Sequence, residues 1–293
     1  MDRHPVDMAS LNPVERRREF DFAERDFQTV RKLIYARAGI NLKPGKQEMV
    51  YSRLARRLRA LKLDSFRSYL ALLEDDRAPE WEAFINAITT NLTHFFREPH
   101  HFEILARQYR DSAANRPFRV WSAASSTGEE VYSIAMILAE ANEGNRPQPS
   151  ILASDLDTNV LEQARRGIYS VDRLDSISLE RRKRFFLRGT GAHEGYVKIR
   201  DEIQHFIRFE HINLMSASWG IKEQFDAVFC RNVMIYFDKE TQYSILKRLS
   251  QVLQPTGFLY VGHSENLFHA KDLYQLCDKT VYRLVQSGLL SDT

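Results

Sequence analysis

Near residue 117 the chain changes its hydrophobic period, and that change limits the folds open to it. Before it, apolar residues recur at helical spacing: Phe27, Val30, Ile34 and Ala38 in one run ended by Gly39, then Val50, Leu54, Leu58 and Leu61. "SFRSYLALLED" and "EWEAFINAITTNLTHFF" continue the pattern on either side of the proline-bearing "DDRAPE". Beyond "RQYRDSAANRPF", short apolar stretches alternate with helical ones. "RVWSAA" precedes "GEEVYSIAMILAEAN", "SILASDLD" precedes "NVLEQARRG", and "FDAVFCRNV" precedes "KETQYSILKRLSQVLQ", which Pro255 ends. "TGFLYVGHS" is one more strand, and "LYQLCDKTVYRLV" reads as a closing hairpin. Strands separated by helices of ten or more residues predict a mostly parallel, doubly wound α/β sheet with helices on both faces.

One section breaks the alternation. In "IYSVDRLDSISLERRKRFFLRGTGAHEGYVKIRDEIQHF" a charged helical run is followed by "RFFLR" and "YVKIR" on either side of a glycine-rich turn. This predicts a small antiparallel β-subdomain at about 170–206, inserted in the sheet order. The expected organisation is a polar, disordered tail (1–20), a helical domain (21–88), a linker (89–116) and the α/β domain (117–293).

Composition narrows the function. With 293 residues and a net charge of +3 the chain is no polycation, so any basic surface must be local. Its two cysteines, Cys230 and Cys277, suit a reducing compartment, and Cys230 reads as a buried small hydrophobe. No stretch approaches the roughly 20 apolar residues that span a bilayer, and none has a signal-peptide core. A soluble, cytoplasmic protein is expected, with nothing that demands a dimer.

In a doubly wound sheet, ligands bind beyond the carboxyl ends of the strands where the strand order reverses. "WSAASSTGEE", "SDLDTN" and "CRNVMIYF" end three strands here. The first has a single glycine, Gly128, where a dinucleotide would need several, and Glu129 and Glu130 stand where a phosphate would sit. Asp155 follows Gly128 by 27 residues, near the spacing of an acid that grips ribose hydroxyls. S-adenosylmethionine fits, having a ribose, no phosphate and a cationic sulfonium. Equally, the two acids complement the positive end of a helix. The segment "TTNLTHFFRE" (89–98) is too polar for an ordinary buried helix face and is predicted to lie over the ligand, a plain linker being the alternative.

Taken together, "TTNLTHFFRE", "RVWSAASSTGEEVYSIAM", "ASDLDTNVLEQARRGIY", "FDAVFCRNVMIYFD" and "VGHSEN" resemble, in order, the CheR family of chemotaxis receptor methyltransferases. The resemblance runs from about Phe27 to Leu284 and implies a Rossmann-like methyltransferase sheet. It implies methyl transfer from S-adenosylmethionine, with S-adenosylhomocysteine as product, to glutamate side chains on the cytoplasmic helices of transmembrane chemoreceptors. It further implies that Asn91, Thr93 and Arg97 contact the cofactor from the linker. Glu130, with Glu129 less clearly, belongs to the cofactor loop, Asp155 takes the ribose, Asn213 and Leu214 flank the adenine, and Arg231 and Asn232 line the site. Arg97 and Tyr236 are expected nearest the reacting methyl.

The glutamate nucleophile, with a reference pKa near 4.3, is already anionic at neutral pH, so no general base is required. No metal site is expected at the histidine cluster His94, His100 and His101. Between Lys43 and Lys62 stand seven basic residues and one acid. At helical spacing Leu54, Leu58 and Leu61 share one side while Arg53, Arg56 and Arg59 share the other, an expected docking face for an acidic receptor helix. In the enteric-type branch that the insert resembles, a three-stranded sheet adds a receptor C-terminal peptide as a strand. Arg188, with Lys198 or Arg200, is the expected partner of its carboxylate.

Two other readings remain at this point: a nucleic-acid methyltransferase with the arginine helix on phosphates, and an inactive receptor-binding adaptor. The chain lacks the Asn/Asp-Pro-Pro-aromatic motif of amine-directed nucleic-acid enzymes, against the first. Arg97, Asp155, Arg231 and Asn232 are all present, against the second.

Overall fold

The computed structural model describes residues 18–285 apart from 143 and 145. The expected polar tail, 1–20, lies almost wholly outside the described residues. Four helices open the fold: α1 (Glu24–Ala38), α2 (Gln47–Leu61), α3 (Phe66–Leu72) and α4 (Glu80–Ile88). Their buried faces, among them Phe27, Val30 and Ile34 against Val50, Leu54 and Leu58, form one apolar core. Leu61 departs from its expected place: at the last turn of α2 it is 38% exposed, because the helix end runs past the layer that covers Leu54 and Leu58. Gly39 closes α1 in the left-handed region (φ 69°), donating its N–H to Tyr35 O at 2.8 Å. A Cβ there would meet Met215 Sδ at 2.6 Å, so the same glycine lets the helical domain approach the α/β domain.

After α5 (His100–Asp111) come β1 (Arg119–Ala123), α6 (Glu129–Ala141), β2 (Ser150–Asp155), α7 (Thr158–Arg166) and β3 (Ile168–Ser170). They are followed by α8 (Leu179–Phe185), β4 (Phe186–Arg188), β5 (Tyr196–Ile199), α9 (Asp201–Gln204), β6 (Ile207–His211) and β7 (Phe225–Phe229). The chain closes with α10 (Lys239–Val252), β8 (Leu253–Tyr260), β9 (Tyr274–Asp278) and β10 (Val281–Leu284). The large sheet has the order β6-β2-β1-β7-β8-β10-β9, parallel except where β10 runs antiparallel to β8 and β9. Along β1, Val120 faces the core that holds α5 and α6, while Trp121 and Ala123 face the core of α10, the period-2 alternation of a strand covered on both sides.

The strand order reverses between β1 and β7, and the ligand crevice opens there. The insert forms a three-stranded antiparallel sheet, β3-β5-β4. Its first strand, β3, follows directly on the left-handed Gly167 that ends α7; it is the "IYS" that opens the quoted stretch and starts two residues before the expected boundary at about 170. Pro255 does not end α10 directly. The helix stops at Val252, and the residues before proline are already extended, since its ring disfavours helical backbone there. Pro255 sits instead in the irregular start of β8, where the register against β7 shifts and a missing N–H costs no ladder bond. No described helix is long and apolar enough to cross a membrane.

Candidate functional site

Beyond the carboxyl ends of β1, β2 and β7 lies a cavity of about 400 Å³, within the range that holds ligands of cofactor size. One wall is the helical domain. Asn41 N–H donates to Tyr236 O (2.8 Å), Asn213 Nδ2 to Arg37 O (2.7 Å) and Tyr35 Oη to Asp238 (2.6 Å), tying the two domains across the crevice.

The loop after β1 is built on unusual backbone. Ala124 (φ 107°), Ser126 (φ 49°) and Gly128 (φ 96°) all take positive φ, and a Cβ on Gly128 would lie 2.8 Å from both Ala164 Cβ and Tyr169 Oη. Gly128 therefore makes a turn that packing against α7 and β3 closes to any side chain. The turn sends its two acids apart. Glu130 lines the cavity, with Oε1 accepting from Ser122 Oγ (2.8 Å) and Oε2 from Arg231 Nη1 (2.9 Å). Glu129 lies behind the loop, fully buried, accepting from Thr127 Oγ1 (2.6 Å) with Arg173 at 3.7 Å. Burial pushes its carboxyl upward, and the Thr127 hydroxyl and Arg173 hold it back. The cofactor role expected for Glu129 is thus corrected: successive helical residues point about 100° apart, and only Glu130 faces the crevice.

Asp155, at the end of β2, lines the cavity and accepts from the backbone N–H of Ser126 (2.8 Å) and of Asp157 (2.9 Å). Burial raises its pKa to about 6 against these hydrogen bonds. Asp157, which sequence reasoning missed, caps α7 and accepts from Thr89 Oγ1 and Asn91 Nδ2, both at 2.7 Å. It pins the linker over the crevice. The amide of Asn91 is therefore spent on Asp157, although the residue lines the cavity as expected. Thr93, Arg97, Asn213 and Leu214 also line it. The amide of Asn213 points to the helical domain.

At the end of β7, Arg231 and Asn232 both line the cavity. Asn232 takes a left-handed turn (φ 58°) held by Glu265, whose carboxylate accepts the N–H groups of Asn232 (2.9 Å), Met234 (2.8 Å) and Gly262 (2.6 Å). Glu265 lies inside "VGHSEN", so its motif was legible, but its destination 33 residues back was not. Tyr236 lines the cavity; burial pushes its hydroxyl upward, and Arg53, Arg97 and Thr90 act in the opposite direction. It stays protonated and able to donate at neutral pH.

The basic helix differs most from its expected arrangement. Arg53 turns inward and donates to Ile88 O (2.7 Å), Thr89 O (2.5 Å) and Thr90 Oγ1 (3.1 Å), capping α4 and holding the start of the linker. Arg59 pairs with Glu19 (2.7 Å) and the intervening Arg57 with Glu80 (2.7 Å). Arg56 is exposed. The cations that line the cavity from this side are Lys43 and Lys46, just before α2. Helical spacing separates apolar from polar faces, yet a long guanidinium reaches whatever carbonyl or carboxylate lies beside its helix.

The small sheet does not gather its three cations. Arg188 pairs in register with Val197 and Lys198 with Leu187, so their side chains point to opposite faces. Lys198 also pairs with Asp201 (2.8 Å), and Arg200 lies beyond the strand. Of the histidine cluster, His100 and His101 lie together with Glu98 rather than with His94. Cys230 is fully buried and its thiol is pushed well up by burial, while Cys277 is exposed.

Two domain families match the chain in succession: the CheR methyltransferase SAM-binding domain over residues 91–283, and the CheR methyltransferase all-alpha domain over residues 25–89. The chain is 49% identical over 273 residues to chemotaxis protein methyltransferase 2 of Pseudomonas aeruginosa, covering 92% of this chain and 97% of that one. It is 50% identical over 263 residues to the chemotaxis protein methyltransferase of Salmonella typhimurium, covering 89% and 91%. The Escherichia coli chemotaxis protein methyltransferase is 49% identical with the same coverage.

Proposed function

This chain belongs to the CheR methyltransferase family, and on that premise we propose that it methylates glutamate side chains of chemoreceptors, using S-adenosylmethionine and leaving glutamate methyl esters. The observation that carries the reading is the composition of the crevice. It joins a ribose-type acid, Asp155, to the Glu130–Arg231 pair and to a protonated tyrosine beside Arg97, and has no glycine-rich cradle for phosphate.

When bound, S-adenosylmethionine supplies a methyl on a sulfonium, and its transfer joins carboxylate oxygen to carbon, leaves the sulfur–carbon electron pair on sulfur and moves no proton. Asp155 would accept the ribose hydroxyls, Glu130 and Arg231 would hold the polar amino-acid end, and Asn213 and Leu214 would flank the base. The residues of the chain need only hold the incoming carboxylate and keep water out. Opposite charges disappear as product forms, so a drier mouth favours the step. The Tyr236 hydroxyl donates one hydrogen bond to that carboxylate, and Arg97 steers it without clamping its charge.

The acidic receptor helix approaches over Lys43, Lys46 and the exposed Arg56, and a receptor C-terminal peptide adds to an edge of the small sheet. The protein acts as a cytoplasmic monomer recruited to receptor arrays. Transfer of labelled methyl to receptor-containing membranes, with release of the label by mild base, tests the reading. Label that resists base, or appears only on nucleic acid, overturns it.

A further inference from the structure

The segment that carries Arg97 ends at Glu98, a residue with no part in the roles above. Its backbone lies in the left-handed region (φ 57°), as does that of Phe96 (φ 54°). Ordinary side chains persist there only where the surroundings over-determine the conformation. For Glu98 those surroundings come from three other segments. Oε1 accepts the backbone N–H of His263 (3.2 Å) and faces His263 Nδ1 (3.1 Å). Oε2 lies 3.3 Å from Arg231 Nη2 and 3.6 Å from Nδ1 of the buried His101. Burial opposes ionisation of this carboxyl, but Arg231 and His263 outweigh it and hold the pKa down at about 2.

Arg231, with its side chain 1% exposed, divides its guanidinium. Nη1 donates to Glu130 Oε2 (2.9 Å) and Nη2 to Arg97 O (2.6 Å), with Glu98 on the far side. One buried cation is thus shared by two carboxylates. One of them, Glu130, forms the cavity wall, and the other is fixed to the linker and to the turn after β8.

We propose that Glu98 is a positioning residue of the cofactor site, setting the orientation of Arg231 and, through it, of the Glu130 carboxylate and the Arg97 backbone. With Glu98 in place, Arg231 is balanced between two anions, and Glu130 keeps acceptor capacity for a ligand. Without that charge the guanidinium is drawn wholly onto Glu130 and competes with the ligand for it. The pair also leaves one negative charge uncompensated beside the crevice, which suits a cationic cofactor. Glu98 shares its neighbourhood with ligand atoms of His100 and His101, all within 4.8 Å. Oε2 of that carboxylate already lies 3.3 Å from the Arg231 guanidinium, an ion-pair geometry.

The inference rests on the cofactor assignment and not on the identity of the methyl acceptor. Its test is calorimetric titration of the full chain with S-adenosylhomocysteine, with the unfolding midpoint of the unliganded protein recorded alongside. Glu98→Gln is expected to weaken binding about tenfold, about 1.4 kcal/mol. In an Arg231→Gln background the same substitution should cost less than twofold, because its route has been removed. Equal cost in both backgrounds overturns the proposal, as does a folded Glu98→Gln protein that binds within twofold of the parent. Should the amide variant not fold, Glu98→Asp, which withdraws the charge by one methylene, is judged by the same two criteria. Failure of the parent itself to bind S-adenosylhomocysteine would count against the cofactor site, a distinct outcome.

Discussion

Arg53→Ala separates two accounts of the basic helix. As an outward docking cation, Arg53 would affect only receptor methylation. In the structure its guanidinium closes the C-terminal end of α4 and the first residues of the linker through Ile88 O, Thr89 O and Thr90 Oγ1. Hydrogen bonds to a charged donor are worth about 1.5–3 kcal/mol when well buried. Arg53 is half-buried and water can reach the freed carbonyls, so the three contacts together are discounted to about 2 kcal/mol. For a chain of 293 residues that lowers the melting midpoint by about 3 °C. The same loss frees the linker that carries Thr93 and Arg97, so affinity for S-adenosylhomocysteine should fall about fivefold. Differential scanning calorimetry and isothermal titration of the variant, without any receptor, measure both. If stability stays within about 0.5 kcal/mol and affinity is unchanged while methylation drops, the clamp argument is wrong and the steering account stands.

Four further outcomes are expected. Cofactor affinity should decline as pH falls through about 6, where Asp155 becomes protonated and loses the charge that strengthens its hydrogen bonds from ribose hydroxyls, and Asp155→Asn should remove that step. Stability should move oppositely: a carboxyl with a raised folded pKa favours the fold when protonated, so the contribution of Asp155 is lost as pH rises from about 4 to about 6. Titrations of unliganded and liganded protein across this window read both signs. Tyr236→Phe should lower turnover about tenfold, the equivalent of one hydrogen bond, with cofactor affinity intact, and single-turnover methylation assays check it. Glu130→Gln should weaken cofactor binding at least fivefold, whereas Glu129→Gln should leave it within twofold, since Glu129 lies behind the loop.

Much of this protein was legible before its structure because the relevant signals are local. The buried face of α1 and the two-sided burial of β1 follow from spacing along one element, which burial on one face or both imposes directly. The turn at Gly128 follows from a conformation that only glycine adopts there without strain. The alternation of strands and helices then restricts the sheet to a mostly parallel order, and a ligand to its switch point.

What spacing leaves open is the destination of a polar side chain. Periodicity assigns Arg53, Arg56 and Arg59 to one face without saying that α4 and Glu19 wait beside it. Glu129 and Glu130 are neighbours in sequence, and only the packing of α6 under the loop turns one into the wall and the other into the interior. Asp157 reaches a linker 66 residues earlier, and Glu98 finds Arg231 across 133. Local chemistry specifies what each residue is able to donate or accept. Its partner is decided by which distant segments the hydrophobic cores bring within 3 Å, and that choice belongs to the tertiary structure alone.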